Sequence, residues 1–144
     1  MSSEQSNKKK KPTAIVVLED GTIFYGKGFG AKTKKVGEIC FNTSMTGYQE
    51  IMTDPSYSGQ IINFTFPHIG NVGSNIEDHE TTNPYALGMI VREDPTTPSN
   101  WRNTKALVEW MEEYDLPGIC GLDTRALTQY IRDMGAPKGA IVHD

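Results

Sequence analysis

Two apolar runs, Glu38–Phe41 and Gln60–Phe66, flank a polar segment within the stretch from Gly37 to Gly73. Both runs are short and carry β-branched or aromatic residues, which is typical of buried strands. Between them, Thr46 is placed to cap a short helix that would extend to Met52. A strand, a helix and a second strand in this order indicate an α/β fold.

The polar segment contains the turn Asp54-Pro55-Ser56-Tyr57-Ser58. Proline disfavours the helical region for the residue before it and is itself preset for a first helical turn. Asp54 is therefore a good N-cap, and Ser56 falls on the turn that it caps. Such a corner leaves unpaired backbone N–H groups beside a serine hydroxyl, which suits a small anion such as a carboxylate. The same residues also make plain tight connections, which are the commoner use of turn chemistry.

The size and hydropathy of the chain fit one domain with one core. It has 144 residues and a mean hydropathy of −0.46, and such a length buries a sizeable interior. No apolar run approaches the roughly 18 residues that span a bilayer. The apolar run at Ile15–Leu18 is too short for the core of a signal peptide. We therefore expect a cytoplasmic protein without membrane contact.

The charge is unevenly distributed. The net charge is −4, but residues 1–11 hold four lysines, Lys8–Lys11, and one acid, Glu4. Without them, the 14 basic and 18 acidic residues fall to 10 and 17, a net charge of −7. An acidic body disfavours nucleic acid as a partner. Residues 1–12 are expected to form a disordered tail, and residues 13–144 the folded domain.

The rest of the chain shows strand pairs first and alternating strands and helices later. Asp20-Gly21 predicts a hairpin, and Asn103 or Thr104 would cap one late helix. Asp123 would cap a second, which would end at Gly135. This order predicts one antiparallel and one partly parallel sheet, with the helices on one face. The expected strands are 13–18, 22–29, 36–41, 60–66, 86–91, 118–122 and 140–142, and the expected helices run to Met52, to about Tyr114 and from Thr124 to Met134.

Apolar side chains repeat at helical spacing in both late helices. We expect these stripes to be buried, which makes Trp110 a core residue. Arg125 and Arg132 lie off their stripe and should face solvent or a partner. The stripes comprise Leu107, Trp110, Met111 and Tyr114 in one helix and Leu127, Tyr130, Ile131 and Met134 in the other.

Residue types that carry catalysis or bind metals are present, but no pattern among them defines a site. No G-x-S-x-G motif occurs. Cys40 and Cys120 lie in apolar runs and are expected to be small buried hydrophobes, without a disulfide, metal or catalytic role. His68 falls in a loop, and His143 is expected at a frayed end of the chain. The adjacent ligand types at Glu77–Glu80 rarely converge on one metal.

Five motifs occur in order along the chain: LEDGT (18–22), GEICFNTSMTGYQEIMTDPSYSGQI (37–61), FPHIGNVG (66–73), SNWRNT (99–104) and GLDTRALTQYIRDMGAPKGAI (121–141). Together they resemble the N-terminal domain of the small, glutamine-hydrolysing subunit of carbamoyl-phosphate synthase. The resemblance covers residues 13–144. It implies a three-layer β/β/α domain of the swivelling type.

The resemblance also implies a function and a set of partners. In this family the small subunit hydrolyses L-glutamine and passes ammonia to a large synthetase subunit, which uses ATP, hydrogencarbonate and Mg. The carbamoyl phosphate then feeds arginine and pyrimidine biosynthesis. The serine of the DPSYS motif contacts glutamine, which transfers a substrate-binding role to Ser56. The catalytic residues lie in a second domain, so this chain ending at Asp144 is expected to be inactive alone and to bind no cofactor.

Two other readings stay open. The chain would be a stand-alone protein-interaction module if no enzyme uses it, and a self-contained hydrolase if Ser56 or a cysteine served as nucleophile. The sequence does not identify the surface that would meet a large subunit. Arg102, Arg125 and Arg132 are candidates because exposure is expected for all three.

Overall fold

A computed structural model describes residues 12–43, 48–65 and 83–143, without the side chain of Gln49. Seven strands and three α-helices form within these residues. The lysine-rich tail, the Thr46 cap, the loop with His68 and the Glu77–Glu80 segment lie outside them. The strands are β1 (Ala14–Leu18), β2 (Ile23–Gly30), β3 (Lys34–Asn42), β4 (Gln60–Phe64), β5 (Gly88–Ile90), β6 (Pro117–Cys120) and β7 (Lys138–His143), and the helices are α1 (Tyr48–Met52), α2 (Pro98–Glu113) and α3 (Thr124–Met134).

The seven strands close into one barrel in the order β1-β2-β6-β5-β4-β3-β7. Strands β3 to β6 pair in parallel, whereas β1, β2 and β7 pair antiparallel with all their neighbours. The expected three-layer domain with two separate sheets is therefore wrong. Antiparallel and parallel sections both exist, but the β2–β6 and β3–β7 pairings join them, and closure leaves the sheet without unpaired edges.

The barrel interior is filled by alternate side chains of its strands, as the period of two requires. Leu127 and Ile131 of α3 belong to the same cluster, so α3 covers one mouth of the barrel. The strand residues of this interior cluster include Val16, Ile39, Ile61, Ile90, Ile119 and Ile141, all without solvent exposure.

A second cluster lies outside the barrel, where α1 and α2 pack on the parallel strands. Phe64 of β4 is fully buried, and its ring meets Tyr48 of α1 edge-on at 4.7 Å between centroids. Trp110 is 3% exposed, which confirms it as a core residue. Because α3 covers a barrel mouth and α1 and α2 cover an outer wall, the expectation of helices on one face is wrong.

Local capping signals predict α3 correctly. The Asp123 carboxylate accepts the Ala126 N–H at 2.9 Å, and Gly135 ends the helix in the left-handed region at φ 74°. The buried stripe, however, stops before the last turn. Met134 is 57% exposed, so its expected burial is wrong, because the barrel mouth does not extend beneath that turn.

Helix α2 begins earlier than its apolar stripe predicts. Thr97 has extended backbone angles and Pro98 opens the helix, a position where proline costs no hydrogen bond. The expected cap at Asn103 or Thr104 is therefore wrong. Thr104 is instead fully buried inside the helix, with its hydroxyl donating to the carbonyl of Asn100 at 3.1 Å.

The hairpin predicted at Asp20-Gly21 is confirmed. Strands β1 and β2 pair antiparallel across it, and Gly21 adopts φ 94°. The Asp20 carboxylate accepts the Thr22 N–H at 2.9 Å and a hydrogen bond from the Tyr130 hydroxyl of α3. The hairpin is thereby fastened to the helix that covers the barrel mouth.

Candidate functional site

The Asp54–Ser58 turn lies at the amino end of β4. Residues Pro55–Tyr57 form one turn of 3-10 helix, with Asp54 as N-cap at φ −82° and ψ 122°. The Asp54 Oδ1 atom accepts two hydrogen bonds from Ser56, from its N–H at 2.9 Å and from its hydroxyl at 2.8 Å. Asp54 as cap and Ser56 as a residue of the capped turn are both confirmed.

The backbone N–H groups of this turn are already paired, unlike the expectation from sequence. Each N–H group donates to an acceptor within the turn or in the segment around Tyr85, so the backbone of the turn offers no free donor for an anion. The pairs are Ser56 N with Asp54 Oδ1 (2.9 Å), Tyr57 N with Asp54 O (3.0 Å), Ser58 N with Pro55 O (3.1 Å) and Gly59 N with Tyr85 O (3.3 Å).

The free groups at the corner are hydrogen-bond acceptors. The backbone and side-chain hydrogen bonds from Ser56 hold the pKa of Asp54 below its usual value, so this carboxyl is ionised at neutral pH. Since the Ser56 hydroxyl donates a hydrogen bond to Asp54, the lone pairs of its oxygen remain available to accept from a ligand. Ser56 is exposed, so a ligand can reach it. An N–H donor suits this arrangement better than the carboxylate expected from sequence.

The sequence pattern did not predict the bond between the Ser56 hydroxyl and Asp54. The Asp-Pro-Ser spacing could have predicted this hydrogen bond, because aspartate side chains commonly bond to groups two residues further along the chain. The turn is also held from both sides. The Tyr57 hydroxyl accepts from Asn42 Nδ2 at 2.7 Å, and the Tyr85 N–H donates to the Met52 carbonyl at 2.9 Å.

The two thiols have the environment of core residues, though to different degrees. Cys120 is 1% exposed, and burial raises the pKa of its thiol to about 12. Cys40 is half-buried rather than fully buried as expected, and burial raises the pKa of its thiol to about 11. Both thiols are therefore protonated at neutral pH, the unreactive form.

Iodoacetamide at pH 7 is expected to alkylate the native chain slowly, with Cys40 reacting before Cys120. In denaturant both thiols should react at the rate of a free cysteine, because burial no longer raises their pKa. Mass spectrometry of timed samples measures both rates. Fast native labelling of Cys120 would contradict its place in the core.

The other candidate residues are not close together in the structure, or they lie at its surface. Within the described ranges, no group of three or more His, Cys, Asp or Glu side chains could hold a metal. His143 is an ordered part of β7, with Nε2 2.9 Å from the Gly118 carbonyl oxygen, and not a frayed end. Arg102, Arg125 and Arg132 are exposed, as expected. No helix among the described residues could traverse a bilayer.

The structure is a mixed α/β domain built on a closed seven-stranded barrel. The profile of the family described as "Carbamoyl-phosphate synthase small chain, CPSase domain" matches residues 16–141, and the chain belongs to this family. It is similar to proteins named carbamoyl phosphate synthase small chain from Ruegeria pomeroyi (60% identity over 138 residues), Agrobacterium fabrum (55% over 139) and Bradyrhizobium diazoefficiens (57% over 137).

These alignments use 96%, 94% and 92% of this chain, but only 36%, 35% and 35% of the relatives. The chain therefore spans about a third of the length of the relatives that it matches. The other two thirds of those proteins have no counterpart in the 144 residues.

Proposed function

We propose that this chain is the partner-contacting and glutamine-contacting domain of a glutamine-dependent carbamoyl-phosphate synthase. In this proposal the small chain hydrolyses L-glutamine in a second domain. The ammonia serves a large subunit that uses ATP, hydrogencarbonate and Mg to make carbamoyl phosphate for arginine and pyrimidine synthesis in the cytoplasm. The 144 residues contribute no catalytic group and are inactive alone. Family membership supports the proposal, and the greater length of the relatives leaves room for the second domain.

The substrate contact is assigned to Ser56. The observation that carries this assignment is an exposed serine on a turn that is capped by Asp54 and tied to β3 through Tyr57. Because the Ser56 hydroxyl donates a hydrogen bond to Asp54, its oxygen accepts from an N–H group of glutamine, and the ionised Asp54 favours the positive ammonium group. A contact with the glutamine carboxylate would require the hydroxyl to leave Asp54. One such bond binds weakly by itself, so the remaining contacts belong to the second domain.

Part of the outer wall of the barrel carries exposed apolar side chains that a protein partner could cover. Ile23, Tyr25 and Val36 are 41%, 59% and 62% exposed on β2 and β3. Between them run β1 and β7, whose outward residues Val17 and Ala140 pair with Ile23 and Val36. Contiguous apolar surface of this kind commonly marks a protein interface. We propose it as a contact surface for the large subunit, in addition to the candidate residue Arg102.

In the longer small chain assembled with its large subunit, Ser56→Ala is expected to raise the KM for glutamine roughly tenfold, as loss of a hydrogen bond to a charged group does. The rate with saturating ammonia should not change, because the ammonia-dependent step does not use this serine. Steady-state kinetics with each nitrogen source measure both values.

Ser58→Ala is the matched control. Ser58 is an exposed serine of the same turn, but the hydrogen bond to Asp54 comes from Ser56. The KM of the Ser58→Ala variant for glutamine should therefore stay near that of the parent. Equal KM values for Ser56→Ala and the parent would remove Ser56 from the glutamine site. Failure of the longer small chain to bind the large subunit would favour the stand-alone interaction module.

A further inference from the structure

The parallel strands place three connections at one edge of the barrel. Thr65 follows β4, Arg92 follows β5 and Gly121 follows β6, so all three lie at the carboxyl ends of neighbouring parallel strands. Sheets with parallel strands commonly bind ligands just outside these ends. The Asp54–Ser58 turn precedes β4 and lies at the opposite edge. This edge is therefore separate from the proposed glutamine contact.

A cavity of about 230 Å³ opens at this edge, between the strand ends and α3. Among the described residues, its lining contains three guanidinium groups, three threonines and one amide, and none of these lining residues is acidic. A neighbouring cavity of about 420 Å³ shares Arg92, Thr124 and Arg125 and adds Asp123. The smaller cavity is lined by Thr65, Arg92, Thr124, Arg125, Thr128, Gln129 and Arg132.

The three arginines have no acidic partner in the described part of the chain. The ion pairs found there, Lys27–Asp94 and Lys35–Asp115, involve none of them. The Arg132 guanidinium lies 5.6 Å from the centroid of the Phe41 ring, which packs against the interior cluster. In a chain of net charge −4, the described lining of this cavity is positively charged, with three arginines that form no ion pair with a described residue.

The wall of the cavity is fixed by hydrogen bonds from the barrel interior. Asn63 is fully buried, and its Nδ2 donates to Thr128 Oγ1 at 2.9 Å. The Thr128 hydroxyl donates in turn to the Thr124 carbonyl at 2.7 Å. Asn63 Oδ1 is buried without a partner among the described residues, so one polar atom behind this wall is left unsatisfied there.

We propose that this cavity binds a phosphate monoester, with Arg92, Arg125 and Arg132 holding its oxygens. Arg125 and Arg132 are two helical turns apart, about 10 Å along the axis of α3. Both nevertheless line the same cavity of about 230 Å³ as Arg92, so in this proposal the three long side chains reach one bound group. A phosphate dianion matches this charge, and arginine forks bind its oxygens in pairs. The first turn of α3 adds its positive end.

Isothermal titration of the full chain at low salt, in a buffer without phosphate, tests the proposal. Inorganic phosphate and glycerol phosphate are the probes, and acetate and a short glutamate peptide are the comparison ligands. Saturable binding of both phosphates is expected, with acetate bound at least tenfold more weakly. Arg125→Gln and Arg132→Gln should each weaken phosphate binding roughly tenfold or more, the usual loss for a charged hydrogen bond.

Arg102→Gln is the matched control, because Arg102 is exposed on α2 and does not line the cavity. It should bind phosphate as the parent does. Far-UV circular dichroism and the thermal midpoint of each variant are recorded first, so a loss of binding is scored only in folded protein. No saturable binding of phosphate, equal weakening by Arg102→Gln, or tighter binding of the glutamate peptide would each overturn the proposal. The last result would reassign the cavity to an acidic protein segment.

Discussion

Replacing Phe64 with alanine is expected to lower the free energy of unfolding by about 3–5 kcal/mol. The Phe64 ring is fully buried between the barrel wall and α1, and it meets Tyr48 edge-on. Alanine removes the ring and leaves a cavity that the closed sheet cannot collapse to fill, because β4 is paired on both sides. Urea unfolding followed by circular dichroism measures the loss.

Tyr25→Ala is the control for this prediction. Tyr25 is also an aromatic residue on a strand, but it is 59% exposed, so its replacement should change the free energy of unfolding by no more than about 0.5 kcal/mol. Similar losses in the two variants would contradict a core between α1 and the parallel strands. The comparison therefore tests which part of the outer barrel wall is covered by helices.

Replacing Gly37 with alanine is expected to cost about 2–3 kcal/mol of unfolding free energy, toward the upper end for overpacking. A Cβ atom at this position would lie 2.4 Å from the carbonyl oxygen of Gly59 and 2.8 Å from Leu87 Cδ1. The closer neighbour is backbone at the end of the Asp54–Ser58 turn, so the clash is not relieved by rotating a side chain. Equilibrium urea unfolding measures this cost.

Gly59→Ala separates close packing from backbone strain. Gly59 adopts φ 78°, but a Cβ atom there would meet nothing within 4 Å. Its replacement should therefore cost only about 1–2 kcal/mol, the price of a left-handed conformation. A Gly37→Ala variant as stable as the parent would show that β3 does not approach the turn this closely.

Local signals in the sequence predict much of this fold. The caps of α3, the Asp20-Gly21 hairpin and the Asp54 cap each depend on residues within a few positions, and all are confirmed. Closure of the barrel depends on pairing Lys27 with Cys120, residues far apart in sequence. Periodicity carries no information on such pairing, which is why two sheets were expected.

The two candidate sites differ in the same way: one depends on residues close in sequence and the other on residues far apart in sequence. Ser56 could be singled out from its turn because Asp54 and Pro55 are its neighbours in sequence. Arg92 could not be grouped with Arg125 and Arg132, since only the parallel order of β4, β5 and β6 brings the strand ends together beside α3. The signal that could have found this edge is a polar residue within two positions of a strand end, as with Thr65 after β4 and Arg92 after β5.

The structure of the longer small chain bound to its large subunit and to L-glutamine tests the central claim most directly. We expect the Ser56 hydroxyl within about 3.2 Å of a glutamine N–H group, with every bond-breaking residue outside these 144 residues. A glutamine molecule bound away from the Asp54–Ser58 turn, or a catalytic nucleophile within this domain, would contradict the proposal.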